Sequence, residues 1–301
     1  MNISYIDPLS RAFRYMRNSL FHPFDISKWF IVGFSAFLAG LLDGWGDGMN
    51  WKGDAGKMDI NRLRDLPYIV RDWITDNLEW SVLIALGIFI IILLFILITW
   101  LSSRGKFLFL ENVVNNNTLI RKSWSNYADE ADSLFLWRLV YGLTALLIIF
   151  SIIFYGIYYY EELKTLTIIG LVCLLLFSFV LFGYVSLFLN DFIVPIMYKH
   201  RISANDAWLK FILLFNETPI PFILYGLFVL FLVIVIVICV VAFGFLTCCI
   251  GFVLLAIPYI GSVIFLPVTY TFRAFSLAFL GQFDSQYKLL GEDITTEDTQ
   301  I

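Results

Sequence analysis

The sequence predicts an all-α polytopic membrane bundle of six transmembrane helices. Three observations carry this expectation: 60% of the 301 residues are hydrophobic, only 15% are charged, and the apolar residues gather in long unbroken runs. A soluble domain is about 45–50% apolar and about 25% charged, so this chain lacks the charges needed to cover a surface in water. With 20 Lys+Arg against 24 Asp+Glu the net charge is −4, which excludes a strongly basic nucleic-acid binder.

A hydrocarbon core about 30 Å thick takes about 20 apolar residues of helix. The first expected span covers residues 27–42 and opens with Lys28. The second covers 80–101 around the block IFIIILLFILI, the third 134–158 and the fourth 166–189. No charged residue occurs between Glu217 and Arg273. That stretch is too long for one crossing, so it holds the fifth and sixth spans, with a turn expected at 247–251. Pro258, Gly261 and Pro267 mark the sixth for a kink. Membrane strands are about ten residues long and alternate in polarity. These runs are longer and do not alternate, and backbone in hydrocarbon must pair within its own segment.

Orientation follows from basic residues near the span ends. With the N-terminus inside, 14 of the 20 Lys and Arg fall on the inner side and six outside. Both termini are therefore expected in the cytoplasm. The first apolar run begins near residue 29 after a polar start, with no small-residue cleavage pattern behind it, so the first span is expected to remain in the mature protein. The expected layout is one transmembrane domain over 1–290, interrupted by an outer loop at 43–79, then an acidic cytoplasmic tail at 291–301.

Three short strings suggest an internal repeat. They are Phe109-Leu110-Glu111-Asn112-Val113, Phe188-Leu189-Asn190-Asp191-Phe192 and Phe279-Leu280-Gly281-Gln282-Phe283, each after an even-numbered span. The odd-numbered spans open with Trp29 to Gly33, Trp137 to Gly142 and Phe222 to Gly226, preceded by Phe13, Trp124 and Trp208. Each unit then reads as an amphipathic elbow, a helix out, a turn and a helix back. In the first elbow Leu9, Phe13, Met16 and Leu20 share one face opposite Arg11, Arg14 and Arg17, the pattern of a helix lying on an anionic leaflet until Pro23 ends it. In the outer loop, Leu63, Leu66, Val70, Trp73 and Leu78 form a second apolar stripe, broken at Pro67 and read as a covering flap.

Ionisable residues near hydrocarbon are the default functional candidates. Arg138 lies one turn into the third span, Arg273 near the end of the sixth, Asp191 at the end of the fourth before the bend signal Ile193-Val194-Pro195, and Glu111 in the related place after the second. They form a candidate polar cluster at the inner rim, with Arg138–Asp191 and Arg273–Glu111 as the pairs to look for. The competing reading is anchoring and elbow structure. No carboxylate or histidine falls at mid-span, which argues against proton-coupled transport. Pairs such as Ala36 and Gly40 suit close helix packing. Cys173, Cys239, Cys248 and Cys249 sit in apolar stretches without metal spacing, and His22 and His200 stand far apart. The acidic, Gly-rich run at 43–48 lacks both a phosphate-loop context and the terminal Glu of a calcium loop. No metal, cofactor or catalytic group is expected.

The strings Asp7-Pro8-Leu9-Ser10-Arg11-Ala12-Phe13 and Leu20-Phe21-His22-Pro23-Phe24-Asp25, with Ser102-Ser103-Arg104-Gly105-Lys106-Phe107, resemble a family of uncharacterised bacterial multi-pass membrane proteins. The stretch from Asp191-Phe192-Ile193-Val194-Pro195 to Ala207-Trp208 is also similar to the membrane domain found with some glycerophosphodiester phosphodiesterases. The resemblance implies a bacterial cytoplasmic membrane and a six-helix bundle with elbows. It brings no catalytic residues. The functional expectation is a non-enzymatic scaffold or accessory component binding membrane lipid, a partner protein or a second copy of itself. A transporter, channel or lipid-moving protein is the alternative.

Overall fold

A computed structural model of the chain describes residues 3–42, 68, 71–116, 124–159, 164–247, 251–252, 255 and 257–291. Among them all regular structure is helical, apart from one isolated bridge between Phe21 and Phe24. The helices are α1 (Ile6–Phe21), α2 (Ile26–Gly40), α3 (Leu78–Asn115), α4 (Ala128–Tyr158), α5 (Thr165–Phe188), a π-helical turn (Leu189–Ile193), α6 (Val194–His200), α7 (Ala204–Glu217), α8 (Pro219–Leu246), α9 (Pro258–Ile264) and α10 (Leu266–Leu280). The Gly-rich run, most of the outer-loop stripe, Cys248, Cys249 and the tail beyond 291 lie outside the described residues.

Among the described residues four helical runs are long and apolar enough to cross a membrane: α3, α4, Thr165–His200 and α8. α2 and α10 are apolar but hold 15 residues each, about 22 Å of helix. The expected sixth span is two helices. Pro267, at the second position of α10, has no N–H to continue the helix, and the chain breaks at Phe265. Pro195 acts similarly after Asp191, where the ladder widens into the π turn.

The chain divides into two compact units. One comprises Met1–Gly44, Trp100–Trp137 and Ser186–Ile301, the other Trp45–Thr99 and Arg138–Val185. In the first, α1 packs along α10. Ala12, Met16 and Leu20 are buried, and so are Ala274, Leu277 and Leu280. This corrects the expected lipid-lying face of α1. Met16 and Leu20 do turn inward, but onto protein, while Phe13 remains 55% exposed on the side of Arg11, Arg14 and Arg17. Two carbonyls at the end of α1 are capped from α2: Lys28 Nζ donates to Ser19 O (2.5 Å) and Trp29 Nε1 to Leu20 O (2.9 Å).

α2 meets α3 at very close range. A Cβ on Gly105 would lie 2.6 Å from the backbone of Leu38 and Ala39. Ser102 Oγ donates to Ala39 O (3.0 Å), and Asn112 Nδ2 donates to Ser35 Oγ (3.1 Å). Small and hydroxyl residues let helix backbones approach where lipid removes the hydrophobic drive to associate. The notch sits at Gly105; Gly40, expected to provide it, faces open space. On its other side α2 packs on α9.

Aromatic rings fill the centre of this unit. Phe192, Phe211, Phe222, Tyr225, Phe275 and Phe279 are almost wholly buried, and Phe222 stacks on Phe283 at 4.6 Å. Three successive contacts organise it. α3 meets the segment that leads into α4 through Trp100–Trp124 and Phe107–Tyr127 ring contacts. The π turn and α6 pack on α7, and α10 packs on α1.

In the second unit α4 and α5 run antiparallel. Tyr141 Oη donates to Phe182 O (2.5 Å) near one end of the pair, and Gly156 approaches Leu171 near the other. Leu146, Leu147, Phe150, Phe177 and Phe179 are exposed, as residues facing lipid would be.

Candidate functional site

Three clusters in the first unit each tie ionisable groups into the protein. At the first, Tyr225 on α8 is fully buried and its Oη donates to Asp191 Oδ2 (2.9 Å) on the π turn. Arg273 on α10 is 9% exposed, and its Nη1 donates to Asn190 O (2.6 Å). The Asp191 and Arg273 charges both act on the Tyr225 hydroxyl. Pro195 cannot donate to the Asp191 carbonyl one helical turn back, and the widened turn presents Asn190 and Asp191 to α10 and α8. Asn190 Oδ1 is buried without a partner.

At the second, Arg104 on α3 directs Nη2 to both carboxylate oxygens of Asp132 (3.0 Å each). Trp100 Nε1 donates to the same carboxylate (3.0 Å), and the guanidinium lies 4.7 Å from the Trp100 ring. The pair is held by charge, hydrogen bonding and cation–π attraction together. Arg104 is the better shielded partner: its side chain is 14% exposed against 48% for Asp132.

At the third, Arg201 caps α6 in the left-handed region, φ 55°. Its Nη1 donates to Asn126 O and to Glu130 Oε1 (3.2 Å), with the guanidinium 3.8 Å above the Tyr127 ring. Tyr127 stacks on Tyr198 at 4.7 Å, and Asn115 Nδ2 donates to Tyr198 Oη (3.3 Å). Burial pushes the Tyr127 hydroxyl well above its usual pKa. Its contact with Tyr198 adds to the rise, and the Arg201 cation opposes it.

Each candidate from the sequence can now be placed. Asp191 and Arg273 come together around Tyr225. Glu111 stands near Tyr127 and Tyr198, where its charge acts on both hydroxyls, and its Oε2 is buried without a hydrogen bond. Arg138 is half-buried and opens the second unit's share of α4. Arg11, Arg14 and Arg17 are exposed along α1. Sequence reasoning missed Arg104–Asp132 and Arg201–Glu130. Charges beyond the ends of apolar runs look like ordinary solvated ends. The available signal was the tryptophans at 100 and 124 flanking Arg104 in sequence. Near the end of α3, Tyr15 Oη donates to Val113 O (2.8 Å) and Tyr270 Oη approaches the same carbonyl (3.4 Å), so tyrosines serve the helix's orphan acceptors.

This geometry fixes helix ends and holds charges in place. No curated protein and no solved structure matches the chain. Residues 3–261 match the family described as a family of unknown function, DUF7544, and with a match over nearly its whole length the chain belongs to that family.

Proposed function

We propose that the protein is a non-enzymatic multi-pass component of a bacterial cytoplasmic membrane, a scaffold or accessory subunit that binds lipid or a partner protein. It crosses six times with both termini inside, α2 and the α9–α10 pair supplying the two short crossings. One observation carries the reading. Arg104, Arg201 and Arg273 of the first unit engage Asp132, Glu130 and the Asn190 carbonyl towards the ends of the apolar runs, and the middle of each expected span is uncharged. A proton or ion path would need ionisable groups at mid-span.

The repeat belongs to this proposal, and two features support it. The motif phenylalanines Phe109, Phe188 and Phe279 are all buried. Ten residues before each, a hydroxyl donates to the carbonyl four positions back: Thr99 to Phe95, Ser178 to Leu174 and Thr269 to Phe265. In this arrangement each returning helix packs on the segment that opens the next unit, and the third closes on the first. On α1, Arg11, Arg14 and Arg17 beside exposed Phe13 meet anionic headgroups. A kinship of Asp191–Trp208 with the membrane domain found with some glycerophosphodiester phosphodiesterases belongs to the same proposal and would put the protein beside lipid chemistry carried out by another protein.

Solute and lipid flux measured in proteoliposomes of the purified chain tests the reading. It expects no flux and a stably co-purifying partner or lipid. Flux that disappears with Arg138→Ala or Asp191→Ala would replace it with a transporter.

A further inference from the structure

α7 stands between two runs long enough to cross a membrane, the one that ends at His200 and the one that begins at Pro219. It is not a crossing itself. Its 14 residues make about 21 Å of helix, short of a hydrocarbon core of about 30 Å, and Asp206, Lys210 and Glu217 lie within it. With a span leaving from each end, α7 is held at the membrane surface. We propose that it lies half-sunk there, with Leu209, Ile212 and Leu213 among the upper acyl chains of the leaflet's phospholipids.

The helix carries three stripes at helical spacing. The first faces protein. Ala204, Ala207 and Phe211 are buried, and Phe211 meets the rings of Phe192 (5.4 Å) and Phe222 (5.2 Å). The second holds Asp206, Lys210 and Glu217. The third is apolar again and faces away from the protein: Leu209 is 63% exposed, Ile212 44% and Leu213 68%. A helix with protein on one side and water elsewhere needs a single apolar stripe. A second one calls for a second apolar neighbour.

Two features make that neighbour lipid. First, the charged stripe divides the two apolar ones along one edge only. Along the other edge they run together through Trp208 and Phe215. A helix in the interfacial plane has this pattern, with charge towards water and apolar groups below and beside it. Second, the outer stripe does not stop with α7. Ile220, Ile223 and Leu224 continue the exposed apolar surface into α8, where a span meets hydrocarbon. The leaflet is the one beside His200 and Pro219, the inner one when both termini are inside.

This inference rests on the reading of Thr165–His200 and α8 as membrane spans. The test is spin-label accessibility in the full chain, purified and reconstituted in vesicles of phosphatidylethanolamine and phosphatidylglycerol. Nitroxides are placed singly by Leu209→Cys, Ile212→Cys, Leu213→Cys and Asp206→Cys, with the native cysteines changed to serine. All four side chains are exposed, so the labels displace no packing. Relaxation by oxygen, which concentrates in lipid, is compared with relaxation by a water-soluble nickel chelate. The expected oxygen-to-nickel ratio at 209, 212 and 213 is several times that at 206. Equal ratios at all four positions overturn the proposal by placing the outer stripe in water. Low accessibility to both reagents at 209, 212 and 213 also overturns it, by making a second copy of the chain the occupant. A label from Phe231→Cys, at an exposed position midway along α8, keeps the two readings apart. Oxygen-rich relaxation at 231 with water-like relaxation at 209, 212 and 213 defeats only the α7 inference. Water-like relaxation at 231 defeats the spanning reading itself.

Discussion

Gly105 and Tyr225 are single residues whose surroundings leave little freedom. At Gly105 any side chain meets the backbone of α2, which cannot swing aside as a flexible side chain can. Gly105→Val should lower stability by about 1–3 kcal/mol through overpacking, read as a fall in melting temperature in detergent. Gly40→Ala, with nothing near its Cβ, is the control and should melt like the wild type. Tyr225→Phe removes the hydroxyl that Asp191 accepts from. The expected loss is about 2 kcal/mol, the range for a bond to a charged group. Asp191 and Arg273 were legible because charge beside a long apolar run stands out. Tyr225 was not: its ring is one aromatic among many, and only the fold brings its hydroxyl to a carboxylate.

At the level of elements, α1 shows what amphipathicity does and does not determine. Its pattern revealed an apolar stripe and a basic side. It could not reveal whether the stripe meets lipid or protein, because both are apolar. α10 supplies the partner, and Met16 is 5% exposed against it. Met16→Ala should therefore cost about 2–3 kcal/mol and speed proteolytic removal of α1. A helix lying free on lipid would show neither change. The cluster joining α6 to the segment before α4 carries a pH dependence. Tyr127 is raised above its ordinary pKa of 10.0, first by burial. Its protonated form is favoured in the fold, so its contribution is fully present below about pH 10. That contribution is lost as pH rises through the higher folded value, since the unfolded chain releases the proton first. Melting temperature should drop above pH 10, and Tyr127→Phe should flatten part of the drop. An equal drop in the variant would assign it to other tyrosines.

Over the whole molecule, the all-helical architecture was legible because long uncharged runs in a chain this apolar admit no other backbone solution. Four of the expected runs appear as helices of spanning length. Their ends were less legible. α3 continues to Asn115, well beyond the apolar run, because Ser102, Gly105 and Asn112 dock on α2, and such packing leaves only a faint trace in sequence. The break in the sixth run was readable from Pro267. In the proposed topology hairpins cross the membrane with both chain ends on one side. Cysteine accessibility in intact and permeabilised cells tests it, using Arg14→Cys on α1, Asp284→Cys after α10 and Lys164→Cys between α4 and α5, in a chain whose native cysteines are changed to serine. With both ends inside, a membrane-impermeant maleimide should label position 164 in intact cells, and positions 14 and 284 only after permeabilisation. Labelling of 14 and 284 from opposite sides would contradict it.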